Sequence, residues 1–195
     1  MDLEPCRPRD VRALTAFLEG VDLTPSGLDA PGVRLWIERD PAGAVIGSTG
    51  YELSGNGRHA LIRSVAVRPE SRSRGLGGAL ARFALARDAD EGASRAWLFS
   101  RRSGPFWQGL GFTPADRDEL AAALSDTHQV QLFRRTGQLS REIAWTRALT
   151  REDAGERVAP VPLCRGAFVS RDAQNGAASS SGGDGSSGRK RTAGA

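Results

Sequence analysis

A short glycine-containing loop is the segment of this sequence that most clearly could bind a ligand. Its spacing is Arg72-x-x-Gly75-x-Gly77, followed by Gly78, and it lies between a strand-like run and a helix-like run. The start of a helix presents backbone N–H groups without partners and the positive end of the helix dipole. Because glycine lacks a Cβ atom, an anion can approach the backbone closely. The loop therefore predicts a site for a phosphate or pyrophosphate.

The loop departs from two well-known glycine-rich phosphate motifs. A P-loop requires Gly-Lys-Ser/Thr after its glycines, and that run is absent here. A dinucleotide-binding fingerprint requires G-x-G-x-x-G. Gly75-x-Gly77 has no third glycine at that spacing, and Ala81 offers only a small residue nearby. Spacing alone leaves open a strand-to-helix turn that binds nothing.

The apolar pattern around the loop predicts a mixed α/β domain with one crossover helix. A first helix is expected from Val11 to Val21, with Asp10 as its cap. Three meander strands precede the loop, and a strand, two short helices and a last strand follow the loop helix. The predicted ranges are strands 33–38, 44–53 and 59–67, the loop helix from 76, strand 96–100, helices 106–110 and 118–124, and strand 142–149.

Composition excludes several classes of protein. The chain has 195 residues, with 27 basic and 23 acidic side chains, and every basic residue except Lys190 is Arg. This small surplus gives no reason to expect a nucleic-acid partner. Two cysteines far apart in sequence make neither a disulfide framework nor a metal site. No secretory signal or membrane-spanning run is visible, so the prediction is a cytoplasmic protein without a membrane partner.

The chain is predicted to divide at residue 150. Residues 1–150 carry the patterns of a folded domain, and 151–195 are predicted to be a flexible, largely disordered tail. Every residue from 174 to 188 is Gln, Asn, Gly, Ala, Ser or Asp. A segment without large apolar side chains cannot offset the entropy lost on ordering.

The glycine loop resembles motif A of the Gcn5-related N-acetyltransferases (GNAT), whose pattern is (Arg/Gln)-x-x-Gly-x-(Gly/Ala). Residues 65–81, VAVRPESRSRGLGGALA, carry this resemblance. Residues 106–112, FWQGLGF, are similar to the later family segment F-Y-x-x-L-G-F. The resemblance covers roughly residues 4–149. It implies a GNAT-like fold, with a mostly antiparallel central sheet, a splayed strand pair and a crossover helix.

A looser resemblance is to a bacterial branch of the family that is associated with arsenic-resistance operons. It rests on LIRSVAV at 61–67, GFTP at 111–114 and the stretch from Ser125 to Gln131. The cysteine-containing C-terminal segment of that branch is absent from this sequence.

The GNAT resemblance implies that acetyl-CoA is the co-substrate and that no metal takes part. Acetyl would pass directly to an amine, without a covalent enzyme intermediate. Backbone groups of Val65 and Val67 would contact the pantetheine arm, in a gap between strands expected near Ala66. The pyrophosphate would lie on the loop formed by Arg72, Ser73, Arg74, Gly75, Leu76, Gly77 and Gly78.

Two chemical tasks remain for side chains, which are deprotonating the acceptor ammonium and stabilising the departing thiolate. The family's usual thiolate acid is a Tyr, but Trp107 stands at that position, and indole cannot release its proton at useful pH. Glu52 is the candidate base, with an exposed structural carboxylate as the alternative. Arg63 is the candidate for binding an acceptor carboxylate, with an ion pair to Glu52 as the alternative. Ser100, Arg101 and Arg102 are expected to shape the acceptor pocket, with a solvated loop as the alternative.

These expectations combine into an N-acetyltransferase acting on a small, amino-acid-like amine. Two alternatives stay open, namely a protein or peptide N-acetyltransferase and a catalytically weak acyl-CoA-binding module. Because many relatives dimerise through their last strands, the resemblance also makes a homodimer a candidate assembly.

Overall fold

The computed structural model describes residues 1–155, except for the side chains of Ser73 and Arg74. The predicted tail lies outside the described residues from 156 onward, and so does the second cysteine, Cys164. The first five residues assigned to the tail, Arg151–Gly155, form a short helix.

A seven-stranded mixed sheet is the centre of the domain. Its strands are β1 Glu4–Pro5, β2 Val33–Arg39, β3 Val45–Leu53, β4 His59–Val67, β5 Arg95–Phe99, β6 Thr113–Ala115 and β7 Ala144–Ala148. They are ordered β1-β2-β3-β4-β5-β7-β6. Every neighbouring pair is antiparallel except β4 with β5, which is parallel. The predicted mixed, mostly antiparallel sheet is confirmed.

The described residues also form helices on both faces of the sheet. These are α1 Val11–Gly20, α2 Leu76–Asp90, α3 Gly104–Gln108, α4 Arg117–Ala123, α5 His128–Arg135 and α6 Arg151–Gly155. Helix α2 is the predicted crossover between β4 and β5. Within residues 1–155, none of the helices is both long and apolar enough to cross a membrane.

The prediction that Asp10 caps α1 is wrong in part. Asp10 directly precedes the helix but makes no side-chain capping bond to it. Its carboxylate instead pairs with Arg39 at 2.8 Å and accepts the backbone N–H of Arg7 at 3.0 Å. The ion pair links the start of α1 to strand β2. The carboxylate therefore stabilises a contact between two elements rather than the first turn of the helix.

Alternation along the strands sends apolar side chains to two core layers. On β2, Trp36 packs on the side covered by α2, whereas Leu35 and Ile37 pack on the side covered by α1. On β4, Ile62 faces the α2 side, and Leu61 packs with residues of α4 and α5. The sheet is therefore buried on both faces and gives the cleft rigid walls.

Strands β4 and β5 pair only at their beginnings. The ladder consists of His59–Arg95, Ala60–Ala96 and Leu61–Trp97. Beyond these three pairs the strands separate, so the gap opens at Ile62, earlier than the predicted position near Ala66.

A bulge in β4 accompanies this separation. The register with β3 shifts so that Ser64 and Val65 stand opposite the single residue Thr49. Ser64 has a φ of 55°, which is unusual for a residue with a side chain. Its carbonyl accepts a hydrogen bond from Ser48 Oγ at 2.6 Å. Bulges bend a strand and redirect its side chains, and this one lies where β4 borders the gap.

Candidate active site

The gap between β4 and β5 contains two neighbouring volumes. The outer cleft has a volume of about 660 Å³ and is lined mainly by the end of β4 and the glycine loop, through Val65, Ala66, Val67, Arg72, Gly75, Gly77 and Gly78. The inner cavity has a volume of about 220 Å³ and is lined by polar side chains that include Arg63, Ser100, Arg101, Gln129, Gln138 and Glu142. Val65, Asp22, Arg102 and Phe106 are among the residues that border both volumes.

The glycine loop meets the outer cleft as the sequence predicts. Gly75 precedes α2 with a φ of 70°, and no atom lies within 4 Å of the place where its Cβ would be. A Cβ on Gly77 would meet only Phe106 and Val67, both at 3.7 Å. The first turn of α2 therefore presents its backbone N–H groups to open space. These residues fit the pyrophosphate of a coenzyme A molecule.

The other predicted loop residues have different positions. Arg72 is exposed, borders the outer cleft, and donates through Nε to the Val67 carbonyl oxygen at 3.3 Å. Ser73 and Arg74 belong to a 3-10 turn, and their side chains lie outside the described part of the molecule. Leu76 is the first residue of α2 and does not border the cleft.

Val65 and Val67 both line the outer cleft, as the family resemblance implies. Val65 also reaches the inner cavity, because the bulge places it at the junction of the two volumes. The carbonyl oxygen of Val67 already accepts the hydrogen bond from Arg72. Val65 is therefore the better placed of the two to contact a group that spans both volumes.

Glu52 and Arg63 form a buried ion pair under the inner cavity. Their side chains are 3% and 4% exposed, and Arg63 Nη1 donates to Glu52 Oε1. Glu52 Oε2 accepts the backbone N–H of His128, at the start of α5. Arg63 Nη2 donates to the carbonyl oxygen of Ser26, in the segment between α1 and β2. The pair thus connects two strands, one helix and one loop.

This arrangement bears on both predicted roles. Both oxygens of Glu52 accept hydrogen bonds and Glu52 borders neither volume, so its carboxylate is not placed to take a proton from an acceptor in this conformation. Arg63 lines the cavity, but both of its terminal nitrogens are engaged, and only its buried Nε lacks a partner among the described residues. The geometry favours a structural role for Glu52, although the residue is buried rather than exposed, and it favours the ion-pair alternative for Arg63.

Trp107 occupies the wall of the inner cavity, at the position where the resemblance implies a Tyr. Its ring packs edge-on against Phe106 and Phe112, with centroid distances of 4.9 and 5.3 Å. Tyr51 cannot replace it, because its hydroxyl donates to Glu91 in a core cluster. Burial and the neighbouring carboxylate raise the pKa of Tyr51 far above its usual range.

Ser100 lines the inner cavity, as predicted. It follows β5, and its Oγ accepts the backbone N–H of Ser103 at 3.2 Å. Its carbonyl oxygen accepts the indole N–H of Trp145 at 2.9 Å. These bonds fix the turn that carries Arg101 and Arg102 along the cavity.

Glu142, Gln138 and Gln129 are among the polar residues of the cavity that were not predicted from the sequence. Glu142 and Gln138 come from the segment before β7, and Gln129 comes from α5. Glu142 Oε1 accepts a hydrogen bond from Gln138 Nε2 at 2.9 Å. Gln129 Oε1 is buried without a hydrogen-bond partner among residues 1–155. In the sequence, these three residues differ from their neighbours only in being polar beside apolar strand or helix positions. Many surface residues share this pattern, so it could not identify them as cavity residues.

His59 lies outside both volumes. Its Nδ1 accepts the indole N–H of Trp97 at 3.1 Å, and partial burial together with Arg95 and Arg58 lowers its pKa. Within residues 1–155, no group of three His, Cys, Asp or Glu side chains is arranged to hold a metal ion.

Comparison with known proteins adds the family. The model of the acetyltransferase (GNAT) family matches residues 4–112. A sequence search among curated proteins finds no significant match. The narrower resemblance to the arsenic-resistance branch is not confirmed by these comparisons.

Solved structures show the same fold at low sequence identity. N-acetylglutamate synthase from Neisseria gonorrhoeae, complexed with coenzyme A and N-acetyl-glutamate, is 18% identical with a TM-score of 0.61, over 77% of this chain and 35% of that chain. Thus the chain spans about a third of that synthase's length. The Mycobacterium tuberculosis protein Rv2747, in complex with CoA, is 19% identical with a TM-score of 0.60, over 77% and 100%. An aminoglycoside 6'-N-acetyltransferase complexed with coenzyme A is 10% identical with a TM-score of 0.55, over 77% and 98%.

Proposed function

The chain belongs to the acetyltransferase (GNAT) family, and from that premise we propose that it transfers acetyl from acetyl-CoA to the amine of a small, amino-acid-like molecule. The observation that carries the proposal is the position of the motif A loop beside a gap that leads to a small polar cavity. The two volumes match the two substrates that such a reaction must bring together.

The outer cleft is suited to coenzyme A. Backbone N–H groups at the start of α2 would hold the pyrophosphate, and the side chain of Arg72 adds positive charge at the rim. The pantetheine arm would lie along Val65 and Val67, with its thioester towards the inner cavity. Structures of the same fold hold coenzyme A, which supports acetyl-CoA as the co-substrate.

The inner cavity favours a small acceptor. Its volume of about 220 Å³ is below the range typical of drug-sized ligands, and it has polar and charged walls. One structural neighbour holds N-acetyl-glutamate and another is an aminoglycoside acetyltransferase, so the fold serves acceptors of different chemistry. Arg63 and Arg101 line this cavity and place positive charge there, which supports an acceptor that carries a carboxylate.

The chemistry of transfer is direct. The amine must lose a proton, attack the thioester carbon and displace the coenzyme A thiolate. With Trp107 in place of the usual Tyr, we propose that the thiolate takes its proton from the amine or from water. Indole N–H can stabilise negative charge by hydrogen bonding but cannot complete the proton transfer.

A specific observation also keeps the acyl-CoA-binding module as a second candidate. The predicted base, Glu52, has both oxygens engaged, and the position of the thiolate acid holds Trp107. A protein with these two features could bind acetyl-CoA and transfer acetyl slowly. The cytoplasmic location, the homodimer and the peptide-acceptor alternative stay predictions.

Two measurements on the same protein preparation separate these candidates. Titration with coenzyme A tests the outer cleft, and thiol release from acetyl-CoA with a panel of amino acids, simple amines and peptides tests transfer. Binding with turnover of a small amine is the expected result. Binding without turnover would favour the module, turnover of peptides alone would favour a peptide acetyltransferase, and absence of coenzyme A binding would reject the proposal.

A further inference from the structure

Unlike Glu52, a second glutamate borders the inner cavity and has a carboxylate oxygen without a hydrogen-bond partner among residues 1–155. Glu142 lies on the cavity wall, and its side chain is only 7% exposed. Oε1 accepts the hydrogen bond from Gln138, which fixes the orientation of the carboxylate. Among residues 1–155, Oε2 accepts no hydrogen bond, and it is not one of the atoms shut off from solvent. One oxygen of Glu142 therefore stays available inside a confined polar space.

The segment around Glu142 also borders a further pocket on the side away from the glycine loop. This pocket has a volume of about 270 Å³ and is lined by Thr136, Gly137, Gln138, Arg141, Glu142 and Arg101. Gln138, Glu142 and Arg101 border both this pocket and the inner cavity. These three residues form the wall between the pocket and the inner cavity. A molecule that entered from this pocket would therefore meet Glu142 before it reached the thioester.

The charges at this wall are of opposite sign. Arg101 Nε lies 3.7 Å from Glu142 Oε1, which is an ionic contact rather than a hydrogen bond. The Arg101 side chain is 53% exposed, so solvent screens this attraction and the side chain can turn to another anion. Arg141 is exposed on the same pocket. The remaining charged residues that border the inner cavity are Asp22, Arg63 and Arg102.

We propose that Glu142 binds the ammonium group of the acceptor and receives its proton, and that Arg101 and Arg141 bind an anionic group of the same molecule. The acceptor is then an amine that also carries a carboxylate or a similar anion, and it enters from the pocket on the side of α5 and β7. This proposal rests on the proposed function, because it assumes that acetyl-CoA occupies the outer cleft.

The protons and electrons of the step balance without a further reactant. One ammonium proton passes to Glu142 and then to solvent, which frees the nitrogen lone pair. The lone pair forms the bond to the acetyl carbon, and the carbon–sulfur bond breaks with its electron pair on sulfur. A second proton of the nitrogen goes to the thiolate, and the third stays on the amide. The products are the N-acetyl compound, coenzyme A and one proton in solution.

The first test uses Glu142→Gln, Glu142→Asp and the exposed control Glu119→Gln in the full chain. Loss of the base is expected to lower kcat/KM by about 100-fold and to remove the acidic limb of its pH profile. Glu142→Asp should recover part of the rate and the limb, and Glu119→Gln should change neither. The dissociation constant of coenzyme A should stay within about twofold in every variant. Glu142→Asp serves as the deciding variant if Glu142→Gln does not fold.

The second test separates the anion from the amine. Arg101→Gln and Arg141→Gln are assayed with α-amino acids and with the amines that lack their carboxylates. The expected result is a KM raised about tenfold for the amino acids and unchanged for the simple amines. An unchanged rate and pH profile in both Glu142 variants would overturn the inference and leave the proposed function standing. A wild-type chain that binds no coenzyme A, or acetylates no amine, would reject the proposed function and this inference with it.

Discussion

The outer cleft and the inner cavity are lined by different kinds of groups from different parts of the chain. The outer cleft is built mostly from one continuous stretch, the end of β4 and the start of α2, and its donors are backbone N–H groups. The inner cavity collects side chains from segments far apart in sequence, among them Arg63, Arg101, Gln129 and Glu142. Backbone donors recognise what all acyl-CoA substrates share, whereas side chains can change from one acceptor to another.

The largest expected effect comes from breaking the ion pair beneath the inner cavity. Arg63→Met leaves Glu52 buried without its counter-charge, so the free energy of unfolding should fall by about 3 kcal/mol in urea titrations. The double variant Glu52→Gln with Arg63→Met should lose less, because no uncompensated charge remains.

The affinity for coenzyme A should be measured for the same Arg63→Met variant, because it reports on the outer cleft rather than on the ion pair. It should stay within about fivefold in folded Arg63→Met, because the outer cleft does not use the pair. A loss of stability below about 1 kcal/mol would show that the pair does not hold the cavity together. A Glu52→Gln variant that lost the acidic limb of the pH profile would restore Glu52 as the base.

The next effect lies in the outer cleft and should spare stability. Gly77→Glu places a carboxylate where the pyrophosphate would lie, with room around the Cβ position. Repulsion and bulk should weaken coenzyme A binding by at least about 100-fold, as measured by calorimetric titration. The control Ala122→Glu adds the same charge at an exposed site of α4 and should leave affinity unchanged. Unaltered binding by Gly77→Glu would remove the glycine loop from the coenzyme site.

The third prediction concerns the pH dependence of stability, which we expect to come from Asp88, a residue outside both the outer cleft and the inner cavity. Asp88, near the end of α2, is fully buried, and its carboxylate oxygens have no hydrogen-bond partners among residues 1–155. Burial, with a smaller contribution from Asp153, raises its pKa to about 8, while the nearby backbone N–H of Ala89 and, to a smaller extent, Arg147 oppose the rise.

The sign of the pH effect follows from this raised pKa. The folded protein keeps a proton on Asp88 that the unfolded chain releases near pH 4, so stability falls as the pH rises towards 8. The slope should be on the order of 1 kcal/mol per pH unit between about pH 5 and 8. Asp88→Asn should flatten it in urea titrations across that range. A slope that survives Asp88→Asn would have to come from other groups, the cleft included.

The smallest effect is expected at an ion pair that spans the mouth of the gap. Arg102 donates to Asp22, both side chains are mostly exposed, and the contact lowers the pKa of Asp22. Because such exposed pairs contribute little, Asp22→Asn should leave the free energy of unfolding, measured in urea titrations, nearly unchanged. Asn also tolerates the positive φ of 59° at this residue. If Asp22→Asn changed the affinity for coenzyme A more than it changed stability, the pair would instead help to hold the substrates in the gap.

The difference between the two regions also explains what could be predicted from sequence. Strand 59–67 and the start of the loop helix at residue 76 were predicted as observed, because apolar alternation and glycine spacing are local signals. The pairing of Arg63 with Glu52 was foreseen as an alternative, since both lie on adjacent strands of one hairpin. The place of Glu142 in the cavity was not predicted, because it depends on how β7 packs beside β5, and these two strands are far apart in the sequence.

The short ladder between β4 and β5 has a consequence for how the molecule meets other chains. Three residue pairs leave the rest of each strand with an unpaired edge that faces the interior of the domain rather than its periphery. Peripheral edges attract other strands and must be protected by charge, twist or covering segments. An interior edge is protected by its location, because only a molecule narrow enough to enter the gap can reach its amide groups. The domain can therefore keep free peptide groups for a ligand without the aggregation hazard of an open sheet.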